Sequence, residues 1–122
     1  MNALVIEDDV VVSNSLKRNL SRMQFFNRVW TADNFEEGLK TFSNGNFDTV
    51  VIDIGLRDGD FDGLDLCRII RARNKELPIM VISGQKSLVL LEKAFEIGVN
   101  EFVFKPFNIK EVELRIKRWL RI

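Results

Sequence analysis

Short apolar runs alternate with longer segments of helical periodicity from one end of the chain to the other. The runs Ala3 to Ile6, Arg28 to Thr31, Thr49 to Ile52, Ile79 to Ile82 and Glu101 to Phe104 are rich in Val, Ile and Phe. They largely lack a period of two, which predicts strands buried on both faces of a parallel sheet. Between them, apolar residues recur at helical spacing. The groups are Leu16, Leu20 and Met23; Phe35, Leu39 and Phe42; Leu66, Ile69 and Ile70; Leu90, Ala94 and Ile97; and Val112, Ile116 and Leu120. Asn34 and Asn108 are placed to cap the second and fifth helices, with Glu37 three residues after the former, and Gly98 to end the fourth. Five strands alternating with five helices predict an α/β sandwich. Right-handed crossovers then gather the loops at the carboxyl ends of the strands into one crevice.

Composition narrows the chemistry that crevice can hold. A length of 122 residues without linker, repeat or low-complexity stretch fits one domain, residues 1–122. Eighteen basic residues balance eighteen acidic ones, leaving no global positive field for direct nucleic-acid binding. Histidine is absent, which removes imidazole metal sites and His-activated nucleophiles. The single Cys67 has no disulfide partner within the chain, and the first residues resemble no signal peptide, so a reducing cytoplasm is expected. No apolar stretch approaches membrane-spanning length.

The residues just beyond the strands are Glu7, Asp8 and Asp9 after the first, Asp53 after the third, Ser83 after the fourth and Lys105 after the fifth. Crowded carboxylates repel one another, which raises their pKa values or calls for a cation, and without imidazole or thiolate ligands the fitting cation is hard. Each residue alone has a plainer reading: a helix cap for Asp8, Asp9 or Asp53, a turn serine for Ser83, a surface charge for Lys105. Their combination in four strand-end loops points instead to one charged pocket.

The segments Val5-Ile6-Glu7-Asp8-Asp9, Val50-Val51-Ile52-Asp53-Ile54, Pro78-Ile79-Met80-Val81-Ile82-Ser83-Gly84 and Phe102-Val103-Phe104-Lys105-Pro106-Phe107 together resemble the response-regulator receiver domains of two-component signalling. The resemblance covers essentially the whole chain. It implies a flavodoxin-like doubly wound parallel sheet of strand order 2-1-3-4-5. It also implies that Asp53 is the phosphoacceptor, assisted by Lys105 and Ser83, and that Glu7, Asp8, Asp53 and the backbone carbonyl of Gly55 surround Mg²⁺ or Mn²⁺. Glu7 keeps two readings, a ligand through water or a charge that tunes the pocket. Ser83 and Phe102 stand at the family's switch positions, and the Lys105-Pro106 bond is expected to be cis. The phosphodonor would be a histidine kinase or a phosphotransfer protein. The output face would be the fourth helix, fifth strand and fifth helix, with Glu101, Glu111, Arg115 and Lys117 as charges able to pair across a homodimer. The tail from Lys105 to Lys117 resembles receivers joined to winged-helix DNA-binding domains.

Three departures stand out. The stretch from Asp53 to Gly63 is about two residues longer than usual, with Arg57 where proline is common. Its Asp58, Asp60, Asp62 and Gly63 imitate half an EF-hand loop, but the closing glutamate position is Ile69, which favours a solvated acidic loop. Phe102 replaces the frequent tyrosine. Competing readings are a degenerate receiver that only docks partners and a Mg²⁺-dependent aspartyl phosphohydrolase; the latter expects a second aspartate where Gly55 stands. Trp30, Trp119 and Cys67 read as packing residues, and Asn46 and Asp48 as turn formers. At least one side chain of the run Leu88 to Leu91 should face solvent or a partner.

Overall fold

The computed structural model describes residues 1–121; Ile122, the last residue of the expected domain, lies outside them. In chain order the elements are β1 (Asn2–Ile6), α1 (Val10–Ser21), β2 (Arg28–Ala32), α2 (Phe35–Asn44), β3 (Thr49–Asp53), β4 (Arg57–Asp58), β5 (Phe61–Asp62), α3 (Gly63–Arg73), β6 (Ile79–Ser83), α4 (Leu88–Ile97), β7 (Glu101–Phe104) and α5 (Ile109–Leu120). The main sheet is parallel throughout, in the order β2-β1-β3-β6-β7. This is the expected 2-1-3-4-5 order once the short β4–β5 ribbon is set aside.

Alternation along the strands divides the core in two. Leu4, Ile6, Val50, Ile52, Ile79, Val81 and Phe102 face α2, α3 and α4, where they meet Phe35, Leu66, Cys67, Ile70 and Ala94. Ala3, Val5, Val51, Met80, Ile82 and Val103 face α1 and α5, meeting Leu16, Leu20, Val112 and Ile116. Burying each large aliphatic side chain stabilises the fold by roughly 1.5–3 kcal/mol, so the doubly wound sheet is held from both sides. Burial pushes the Cys67 thiol up to about 12, leaving it a small core residue.

Helix ends follow local chemistry. Asn34 accepts from the Glu37 N–H, Asn108 from the Lys110 N–H, and Gly98 closes α4 at φ 101°, in the left-handed region. The structure corrects the first helical stripe: α1 stops at Ser21, and Met23 packs into the core from the turn that follows. It also corrects β2, an edge strand in which Arg28, Trp30 and Thr31 are exposed. There the Arg28 guanidinium lies 3.7 Å from the Trp30 ring centroid, so Trp30 is a surface platform for a cation rather than core packing.

Two further expectations change with tertiary structure. Glu101 is no rim charge. Its buried carboxylate accepts from Arg115 at 2.7 Å, from Trp119 Nε1 at 2.7 Å and from Arg118, tying α5 to β7. Arg115 also pairs with Glu111, and Lys117 with Glu113, so these charges are matched within one chain. The acidic stretch after Asp53 forms an antiparallel ribbon, Arg57 opposite Asp62 and Asp58 opposite Phe61, turning through Gly59 at φ 59°. Among the described residues no helix is long and apolar enough to cross a membrane.

Candidate functional site

Sheet register assembles the site. Ile6 pairs with Ile52, so the next residues, Glu7 and Asp53, leave neighbouring strands side by side. Ser83 pairs with Phe104, which brings Lys105 to the same edge. Lys105 Nζ then reaches both carboxylates, at 3.1 Å from Glu7 Oε1 and 3.2 Å from Asp53 Oδ2. The Lys105-Pro106 peptide bond is cis.

Glu7 and Asp53 are buried, while Asp8 is exposed at the rim. Carboxylate oxygens of all three lie within 4.8 Å of one another. Burial, with the charge of Asp53 adding to it, raises Glu7 to about 7 against the opposing Asp9 N–H and Lys105. Burial works to lower Lys105, but the hydrogen bond to Glu7 and the charges of Asp53 and Glu7 outweigh it and hold the ammonium above its ordinary range. Glu7 Oε2 is fully buried without a hydrogen bond of its own, although Nζ lies 3.1 Å away. A buried carboxylate oxygen with an ammonium neighbour but no hydrogen bond of its own, beside two further carboxylates, is a donor set that a hard divalent cation takes.

The remaining predicted residues gather around this cluster. The Gly55 N–H donates to Asp53 Oδ1 at 2.8 Å, which folds the chain sharply after β3. Asp9 caps α1, accepting from Val11 and Val12, while its own N–H donates to Glu7 at 3.0 Å. Ser83 is buried, and its hydroxyl is engaged with its own loop: it donates to the Gln85 carbonyl at 3.1 Å and accepts from the Gln85 N–H at 3.0 Å. Phe102 is turned into the core, with its ring edge-on to Phe104 at 5.3 Å.

A cavity of about 290 Å³ opens on this cluster, lined by Asp53, Ser83, Lys105, Arg57, Asp62 and Gln85 among others. A larger cleft of about 900 Å³ lies at the amino ends of the strands, lined by Asp48, Lys75, Glu76 and Arg118 among others, away from the residues expected to form the site. The smaller cavity is the one that Asp53, Ser83 and Lys105 line. Arg57 and Asp62 were not among the expected site residues. A two-residue Gly59-Asp60 turn between short flanks was the signal that Arg57 and Asp62 would face one another.

The family model of the response regulator receiver domain matches residues 3–117. Response regulator MprA of a Mycobacterium species is 33% identical over 118 residues, covering 97% of this chain and 50% of its own. The transcriptional regulatory protein CusR of Escherichia coli is 30% identical over 121 residues, covering 99% of this chain and 52% of its own. The chain thus spans about half the length of these curated relatives. Among solved structures, the beryllofluoride-activated receiver domain of DrrB, an OmpR/PhoB homologue of Thermotoga maritima, superposes with a TM-score of 0.88 at 27% identity, covering 99% of this chain and 97% of that one.

Proposed function

This chain belongs to the response regulator receiver domain family, and from that membership we propose that it is a single phosphoacceptor switch domain, residues 1–122, whose Asp53 takes a phosphoryl group from a phosphohistidine. The observation that carries the reading is Asp53 at the end of β3, buried, bonded to Lys105 and flanked by Glu7 and Asp8. Phosphoryl transfer needs an in-line nucleophile and neutralisation of the oxygens around phosphorus. Asp53 Oδ2 is the nucleophile, and Lys105 neutralises from one side. Glu7, Asp8, Asp53 and the Gly55 carbonyl would hold Mg²⁺ or Mn²⁺, which when bound supplies Lewis-acid charge to the phosphoryl oxygens.

Ser83 and Phe102 carry the switch. Once Asp53 bears the phosphoryl group, the Ser83 hydroxyl exchanges the Gln85 carbonyl for a phosphoryl oxygen, a stronger charge-assisted acceptor. That exchange pulls the loop before α4 and biases Phe102 between two packings. The output surface is α4, β7 and α5, where Leu88, Phe95 and Leu114 are exposed, and a homodimer forms there. Because CusR is a transcriptional regulatory protein about twice as long as this chain, we read this chain as the cytoplasmic receiver part of such a regulator, partnered by a histidine kinase or phosphotransfer protein, and not as a classical enzyme.

Incubation with acetyl phosphate, with and without Mg²⁺, followed by intact mass measurement tests the chemistry. A phosphoryl adduct that needs Mg²⁺ and is absent from Asp53→Asn is expected. A native chain that stays unlabelled beside a labelled control receiver would leave only the docking reading.

A further inference from the structure

The cluster of Glu7, Asp8 and Asp53 has a single lysine among its close cations, yet a phosphoryl group would add up to two more negative charges. A second cation lines the same cavity. Arg57 opens the ribbon that follows Asp53 and lines the cavity together with Asp53, Ser83 and Lys105.

The ribbon is anchored at both ends. Leu56, just before Arg57, is buried in the core. Gly63, just after the ribbon, lies so close to the chain beyond β3 that a Cβ there would sit 2.3 Å from Ile54 Cα and 2.5 Å from the Asp53 carbonyl oxygen. The ribbon that begins at Arg57 is therefore pinned at its far end against the backbone of Asp53 and Ile54.

The guanidinium itself is weakly held. Its ionic partner is Asp62 at 3.9 Å, too far for a hydrogen bond, and the Arg57 side chain is 72% exposed. One oxygen of the Asp62 carboxylate, Oδ1, is taken by the cap of α3, accepting the Asp65 N–H at 3.0 Å while the Asp65 carboxylate accepts from the Asp62 N–H at 2.9 Å; Arg57 faces the other oxygen, Oδ2. A fork of donors at the rim of an anion-receiving cavity, without a hydrogen-bonded acceptor of its own, suits a phosphoryl group better than any contact it now makes.

We propose that Arg57 is a phosphoryl-binding residue of this site: when Asp53 carries the phosphoryl group, the guanidinium leaves Asp62 and donates hydrogen bonds to the phosphoryl oxygens from the ribbon side. This rests on Asp53 being the phosphoacceptor and adds to it a ligand residue supplied by the lengthened loop.

The test is a beryllofluoride titration in Mg²⁺, read by fluorine-19 NMR of the bound anion, on the native chain and on Arg57→Ala, Arg57→Lys and Arg68→Ala. Arg68 is a surface arginine paired with Asp65, outside the cavity lining, so its loss removes the same charge without the contact. The expected result is a half-saturating concentration about tenfold higher in Arg57→Ala, partial recovery in Arg57→Lys and no change in Arg68→Ala, with all variants melting together in the absence of beryllofluoride. Equal affinities for the native chain and Arg57→Ala, or equal losses in Arg57→Ala and Arg68→Ala, would overturn the assignment. A native chain that binds no beryllofluoride would instead remove the phosphoacceptor reading beneath it.

Discussion

At the scale of single residues, Gly63 and Gly84 make a controlled pair. Gly84 lines the cavity and Gly63 stands between Asp62 and Leu64, which do, but Gly63 is pressed against the Ile54 backbone while a Cβ on Gly84 would meet nothing within 4 Å. Backbone cannot swing aside as a side-chain tip does, so Gly63→Ala must push β3's exit away from α3. We expect Gly63→Ala to lose about 1–3 kcal/mol in urea unfolding and Gly84→Ala to stay close to the native chain. Similar midpoints for the two variants would mean that the ribbon is not held against Asp53 as tightly as the geometry requires. The same scale separates Ser83 from its expected role: its residue type and position were legible in the sequence, but the direction of its hydroxyl depends on the Gln85 loop.

At the scale of elements, α4 and α5 set the character of the proposed output face. Leu88, Leu91 and Phe95 lie along one line of α4, and Leu114 is exposed on α5, while Glu101, Arg115 and Arg118 are satisfied within the chain. An association through this face is therefore led by apolar contact, with the charges as its border. Sedimentation velocity with Mg²⁺ and beryllofluoride should show a dimer that Phe95→Glu weakens at least tenfold, since the substitution places a charge at the apolar line. A monomer with and without beryllofluoride would rule out the dimer. The exposed leucine run was readable as a conflict between apolar sequence and one-sided helix burial; the internal closure of Glu101 was not, because strand burial and helix register had to be combined to see it.

At the scale of the whole molecule, a chain with no net charge places a buried carboxylate, Glu7, in the crevice at the carboxyl ends of the strands. Glu7 titrates from 4.5 in the unfolded chain and about 7 in the fold, so across that interval the folded state holds an extra proton. Its contribution to stability is full below 4.5 and is lost as pH rises through 7. In EDTA, the Tm of the native chain relative to Glu7→Gln should therefore fall across this window. Mg²⁺ should reduce the fall, because the ionised carboxylate then has a partner. A native-minus-variant difference that stays level from pH 4.5 to 8 in EDTA would contradict the burial of this group.

The sequence by itself determined the order of the five sheet strands and five helices, though not the β4–β5 ribbon, the strand order through the family's motifs, and the identity of the residues at the strand ends, because hydrophobic periodicity and right-handed crossover leave one crevice for the carboxyl ends of parallel strands. Helix caps at Asn34 and Asn108 were equally local and equally legible. Only the tertiary structure decided that Lys105 bridges Glu7 and Asp53, and that Arg57 lines a cavity with Asp53 and Lys105. It alone showed Trp30 on an open edge under Arg28, and Glu101 sealed beneath α5. The reason is physical: pattern reports which face of an element is apolar, whereas the partner of a charged or aromatic side chain is chosen by whichever group the packed elements bring within about 3 Å.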